Sequence, residues 1–176
     1  MKAIILCAPG LEECEAMITR DFLYRAGIDV KLAGQEKQIT SAREFTFITD
    51  CLIDEIKDEL YDCLILPGGV PGVNNLEDNP NVQYMIDNHI KNDKYVAAIC
   101  AAPKILIHKG LLEDDEFICH PGHESGKKPK ENVKAYTWNK FITGKAFGAG
   151  FEFAYEIVKN LLGKEKADAT MASVHF

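Results

Sequence analysis

A thiol, a carboxyl and an imidazole can together carry out carbonyl chemistry, and this chain places one of each near the end of a short apolar run: Cys100 in AAICAAP, Glu15 in EECE and His120 in ICHPG. Cys100 is the sharpest signal. Residues 95–99 suit a strand covered on both faces, and the sequence from Ala101 onward is helix-compatible, with Pro103 tolerable only in a first turn. A side chain at such a joint projects above the sheet, where unpaired N–H groups and the positive end of the helix favour a thiolate. The chemistry this predicts is nucleophilic attack, or oxidation, at sulfur. The residues alone leave plainer alternatives open. Cys100 also fits a small buried hydrophobe, Glu15 a carboxylate complementing a helix dipole, and His120 a hydrogen-bonded loop residue before a proline.

The elements that must hold these groups are legible as alternation. Apolar, non-alternating runs at 3–7, 28–33, 63–66, 96–99 and 117–119 read as strands buried on both faces. Helical patterns at 14–26, 81–89, 101–109 and 152–162 separate most of them, and glycines at 27, 110 and 163 stop three of the four. The expected fold is therefore α/β: a doubly wound, mostly parallel sheet sandwiched by helices, with ligands at the carboxyl ends of the strands. Residues 43–49 suggest a hairpin-like excursion through Phe45 and Phe47, and 121–132 a long surface loop. No helix of consequence is expected after 162.

With 176 residues, 47% of them hydrophobic, and no break in composition, the chain is expected to form one domain, residues 1–176. A formal charge of -7 argues against a nucleic-acid surface, and the only basic cluster, Lys127, Lys128 and Lys130, is short. The opening MKAIILCAPG resembles a secretory signal only briefly before Glu12 and Glu13, and reads better as a first strand. No run reaches the ~20 apolar residues of a membrane span. Six cysteines without a CxxC pair suggest a reduced, cytoplasmic setting. Cys119, His120 and His123 lack the paired spacings of structural zinc, so no metal is expected. The glycines at 68, 69 and 72 have neither the dinucleotide nor the Walker spacing, and no cofactor is expected.

Five stretches in register, GLEECEAMITRDFLYRAGI, LPGGVPGVNNL, AAICAAP, ICHPG and GAGFEFAYEIV, resemble the ThiJ/PfpI (DJ-one) superfamily, in the branch of the parkinsonism-associated protein deglycase and its bacterial relatives. The resemblance implies a flavodoxin-like fold, related to the class I glutamine amidotransferases. It implies a reactive cysteine at Cys100, a partner carboxyl at Glu15, an active-site histidine at His120, and a substrate pocket lined by backbone at Gly68, Gly69 and Ala101. Arg43 matches a residue near the family's dimer interface, and a homodimer is implied, with Phe22, Phe45 and Phe47 as candidates for its face. Two departures stand out. Ala101 follows the cysteine where the protease-like branch has histidine, and Ala146-Phe147-Gly148 replaces the family's usual Gly-Pro before the last helix.

The implied activity is that of a cysteine-dependent, glutathione-independent glyoxalase or protein deglycase, taking methylglyoxal or glyoxal to a hydroxy acid. A protonated Glu15 would donate to the thiolate, so that the two groups titrate as a unit. The alternative is a cysteine-based oxidative-stress sensor or chaperone without turnover. A cysteine peptidase or amidase is the least favoured reading, because of Ala101.

Overall fold

The computed structural model describes residues 1–176. In chain order the elements are β1 (Lys2–Cys7), α1 (Glu13–Arg25), β2 (Asp29–Gly34), β3 (Gln38–Thr40), β4 (Thr46–Ile48), β5 (Cys51–Leu52), α2 (Ile53–Ile56), β6 (Cys63–Leu66), α3 (Val70–Asp78), α4 (Pro80–Lys91), β7 (Tyr95–Ile99), α5 (Pro103–His108), β8 (Ala135–Trp138), β9 (Phe141–Gly144), α6 (Gly150–Leu162) and α7 (Lys164–Ser173). Seven strands form one sheet in the order β5-β2-β1-β6-β7-β9-β8, parallel throughout except for β8 on β9. β3 and β4 pair separately as the hairpin excursion anticipated from Phe45 and Phe47.

Both faces of the sheet are apolar because successive side chains of a strand point to opposite sides. In β1, Ala3, Ile5 and Cys7 enter the core shared with Phe22, Phe153 and Ile157, while Ile4 and Leu6 enter the core shared with Val82, Met85 and Ile105. Burying each of the isoleucine, leucine, valine, phenylalanine and methionine side chains contributes roughly 1.5–3 kcal/mol, so the central strands are fixed in register from both sides. Local chemistry sets the helix ends. Asn79 caps α4 by accepting from the Asn81 N–H at 2.9 Å, ahead of Pro80. Gly27 closes α1 in the left-handed region at φ 87°.

The structure corrects four expectations. Residues 117–119 are buried but form no strand, because β9 occupies the slot beside β7. Their backbone is satisfied elsewhere: the Ile118 N–H donates to Thr143 Oγ1 at 3.0 Å, and Phe117 O accepts from the Lys130 N–H at 2.6 Å. The helix of α5 starts at Pro103, with Ala101 and Ala102 forming a tight turn before it. A ten-residue helix, α7, follows α6, docked through Ala167 and Thr170; its charged sequence has too narrow an apolar stripe to signal itself. Phe22 is 1% exposed and packs edge-on against Phe151, so it is a core residue rather than part of an interface.

Candidate active site

The carboxyl ends of β1, β6 and β7 open into one cleft of about 530 Å³, and Cys100, Glu15, His120, Gly69 and Ala101 all line it. Cys100 follows the last residue of β7 and sits at φ 65°, a left-handed conformation costing of order 1–3 kcal/mol for a residue with a side chain. Its neighbours hold it there. The Cys100 N–H donates to Gly144 O at 3.0 Å, where β9 ends, and Cys100 O accepts from the His120 N–H at 2.8 Å. The next turn then directs the Ala101 N–H, together with that of Gly69, toward the sulfur.

Glu15 enters from the first turn of α1 and is 1% exposed. One carboxyl oxygen, Oε2, accepts the Gly68 N–H at 2.7 Å; the other, Oε1, is buried without a hydrogen-bond partner. Burial pushes the carboxyl up to about 7, against the opposing pull of the Gly68 N–H. Burial and the Glu15 charge push the thiol up to about 12, while the Ala101 and Gly69 N–H groups pull it down. The protonation of Glu15 and that of the thiol are therefore linked. With a proton on Glu15, the charge that raises the thiol is gone, and the two N–H groups act on sulfur unopposed by a neighbouring anion.

Three glycines make the approach possible. A methyl group on Gly68 would lie 2.5 Å from Glu15 Oε2 and 2.6 Å from Cys100 Cβ. Gly69 has φ 90°, and a side chain there would strike the Glu12 nitrogen and the Gly10 oxygen. Gly72 is packed as tightly against Leu11. The loop after β1 and the turn after β6 are thus pressed backbone to backbone, tied by the Glu12 N–H donating to Gly68 O at 2.8 Å. Gly68 itself reaches the site by orienting Glu15, not by presenting its N–H to the cleft.

His120 is exposed on the cleft wall; its Nδ1 lies 2.8 Å from Pro121 O. A carbonyl only accepts, so Nδ1 carries the hydrogen, which leaves Nε2 of a neutral ring as an acceptor. His123 packs edge-on against it, ring centres 5.8 Å apart, while Cys119 points into the core, so these three do not converge. No cluster of three or more histidine, cysteine or acidic side chains is placed to hold a metal ion. No helix is long and apolar enough to cross a membrane.

Several wall residues were not legible as site residues. Arg43, which the resemblance assigns to an interface, lines the cleft, as do Glu12 and His123. Gly144 supports Cys100 only through its carbonyl, which no side-chain motif advertises. At the substituted wall, Ala146 is fully extended and Phe147 stands 52% exposed at the lip, replacing a rigid Gly-Pro edge with an aromatic one.

Comparison with known proteins agrees with this fold. The oxidized DJ-1 of Toxoplasma gondii has a TM-score of 0.93 and 29% identity, with 99% of this chain and 98% of that one covered. The Parkinson disease protein 7 homolog of Danio rerio is 32% identical, covering 94% of this chain and 92% of its own. The glutathione-independent glyoxalase DJR-1.2 of Caenorhabditis elegans is 31% identical, covering 96% and 93%. The DJ-1/PfpI family model matches residues 1–160, from the first strand to the end of α6 but for its last residues. A family model that matches most of the chain, and alignment over nearly the whole of such relatives, make this chain a member of the DJ-1/PfpI family.

Proposed function

We propose that the chain is a cysteine-dependent, glutathione-independent glyoxalase of the deglycase type, converting methylglyoxal or glyoxal to the corresponding hydroxy acid. The observation that carries this reading is the pairing of Cys100, held at φ 65° at the cleft floor, with a buried Glu15 whose carboxyl is raised to about 7. A group poised near neutrality can both give and take a proton at working pH.

The thiolate attacks the aldehyde carbon, and the carbonyl electrons move onto oxygen, whose charge the Gly69 and Ala101 N–H groups can meet. Glu15 gives that oxygen its proton, completing a hemithioacetal, and is left as a carboxylate. It then removes the hydrogen from the same carbon to form an ene-diol and returns it to the neighbouring carbon. His120 Nε2 relays the hydroxyl proton, and the product is a thioester of the hydroxy acid. Water cleaves the thioester and restores Cys100. The sequence is an internal oxidation and reduction of the two carbonyl carbons followed by hydrolysis, so it consumes only water. Lactate formation from methylglyoxal without glutathione tests it. Production by the protein that disappears in Cys100→Ser supports the assignment, and equal background from both overturns it.

A second reading, a peroxide-sensing thiol, is favoured by the partial exposure of Cys100 beside two N–H donors suited to an oxidised sulfur. It predicts that mild peroxide adds two oxygens to Cys100 before the other five cysteines. We also infer a homodimer through the hairpin face, where Phe45 and Ile48 are 50% and 68% exposed and Phe45 stacks on Phe47. Sedimentation of Phe45→Asp as a monomer, against a dimer for the unmodified chain, is the corresponding test.

A further inference from the structure

We propose that this chain carries a second nucleophilic site outside the cleft, a Ser125–His108–Glu77 relay that accepts acyl groups from small, unhindered carboxylic esters. Its members come from three separate segments: Glu77 from α3, His108 from the end of α5, and Ser125 from the long loop after residue 120. His108 Nδ1 lies 2.5 Å from Glu77 Oε1, and its Nε2 lies 2.8 Å from Ser125 Oγ. None of the three lines the cleft of Cys100.

The direction of both hydrogen bonds follows from donor and acceptor chemistry. A carboxylate only accepts, so Nδ1 carries a hydrogen; in the neutral ring Nε2 then holds a lone pair, and the serine hydroxyl must donate to it. That is the order of hydroxyl, base and orienting carboxylate by which a hydrolytic triad is recognised, whatever the fold or chain order. Glu77 is oriented from its other side by Lys104, whose Nζ is 3.3 Å from Oε2. Ser125 lies in the left-handed region at φ 49°, followed by Gly126 at φ 81°, which carries its side chain clear of the loop. The N–H groups of Ser125 and Gly126 pair with no acceptor in the chain and are available to an oxyanion on the same turn.

Ser125 Oγ attacks the ester carbonyl carbon as His108 Nε2 takes the hydroxyl proton. The tetrahedral intermediate expels the alkoxide or phenoxide, which leaves with that proton, and an acyl-serine remains. Water repeats the sequence as nucleophile, releasing the carboxylic acid and restoring the hydroxyl. His108 is half exposed and none of the larger pockets includes the serine, so the substrate class is short acyl groups on good leaving groups, without selection for a long chain.

The test uses the full chain carrying Cys100→Ser, which removes the cleft thiol and makes the result independent of the glyoxalase reading. Release of p-nitrophenol from p-nitrophenyl acetate is measured alongside labelling by a fluorophosphonate, which phosphonylates a base-activated serine with loss of fluoride. Hydrolysis above buffer is expected, with the label on the Ser125 peptide, and adding Ser125→Ala or His108→Gln should lower the rate by about 10²-fold and abolish labelling. Ser125 is exposed, so Ser125→Ala should fold normally, and circular dichroism checks that it does. Equal rates with and without Ser125→Ala, or an absence of label on Ser125, would overturn the proposal and reduce the contact to a tether for the loop.

Discussion

Glu15 and His89 are both fully buried ionisable residues at opposite ends of the same sheet, and they are satisfied to different degrees. His89, near the amino ends of β6 and β7, has a partner for each nitrogen: Nδ1 donates to Met85 O at 2.7 Å, and Nε2 accepts from the Tyr61 N–H at 3.1 Å. Its ring also stacks on Tyr61. Glu15, at the carboxyl ends, has one oxygen satisfied and one orphaned beside a thiol. A fully paired buried polar group specifies structure, whereas a half-paired one holds energy that only a proton or a substrate can release. Completeness of pairing, more than burial, separates the supporting end of this sheet from the end that carries the cleft.

The comparison breaks most visibly at Glu15. Glu15→Gln keeps the shape but loses the proton transfers, so turnover should fall by about 10²–10⁴ with the thermal midpoint held or raised; near-normal lactate production would remove Glu15 from the chemistry. His89→Ala should do the reverse. Orphaning the Tyr61 N–H costs about 1–3 kcal/mol, to which the cavity adds, read as a lower denaturation midpoint with kcat of the folded protein unchanged. Gly68→Ala sharpens the contrast because its methyl would press on both Glu15 and Cys100. It should cost about 1–3 kcal/mol and lower turnover as well, measured by denaturation and lactate assay on one preparation.

The most gradual effect is in pH, where the two residues oppose each other. Burial lowers His89 below its ordinary 6.5, so the unfolded chain binds more protons there, and its contribution is full above 6.5 and lost as pH falls through the lowered value. Glu15 is raised from 4.5 to about 7, so the folded chain binds more protons, and stability declines as pH rises between those values. Each slope is at most ~1.4 kcal/mol per pH unit. Denaturation across pH 4–8 should show Glu15→Gln removing the second slope and sparing the first.

The sequence shows the sheet best where strands are buried on both faces, because 3–7, 63–66 and 96–99 are then uninterrupted apolar runs. It misleads at 117–119, where the same apolarity comes from core burial without pairing, and it hides the hairpin of β8 and β9, whose four-residue strands AYTW and FITG mix apolar residues with threonine and glycine and show neither a continuous apolar run nor a regular alternation. Within the site, the side-chain chemistry of Cys100, Glu15 and His120 is legible and the backbone chemistry is not. The carbonyl of Gly144, the role of the Gly68 N–H and the placement of Arg43 depend on where distant segments meet.

That dependence reaches into how the molecule is made. The elbow at Cys100 is pinned by a carbonyl from the end of β9 and an amide from the 117–120 segment, while its carboxyl partner comes from α1. A chain emerging from synthesis therefore holds an ordinary thiol, away from the groups that shift its titration, until the last parallel strand has docked. Pairings so far apart in sequence are expected to be slow to form. The rate of Cys100 alkylation during refolding should consequently change in the final step of sheet assembly, when the Glu15 carboxyl and the Gly69 and Ala101 N–H groups reach the sulfur together.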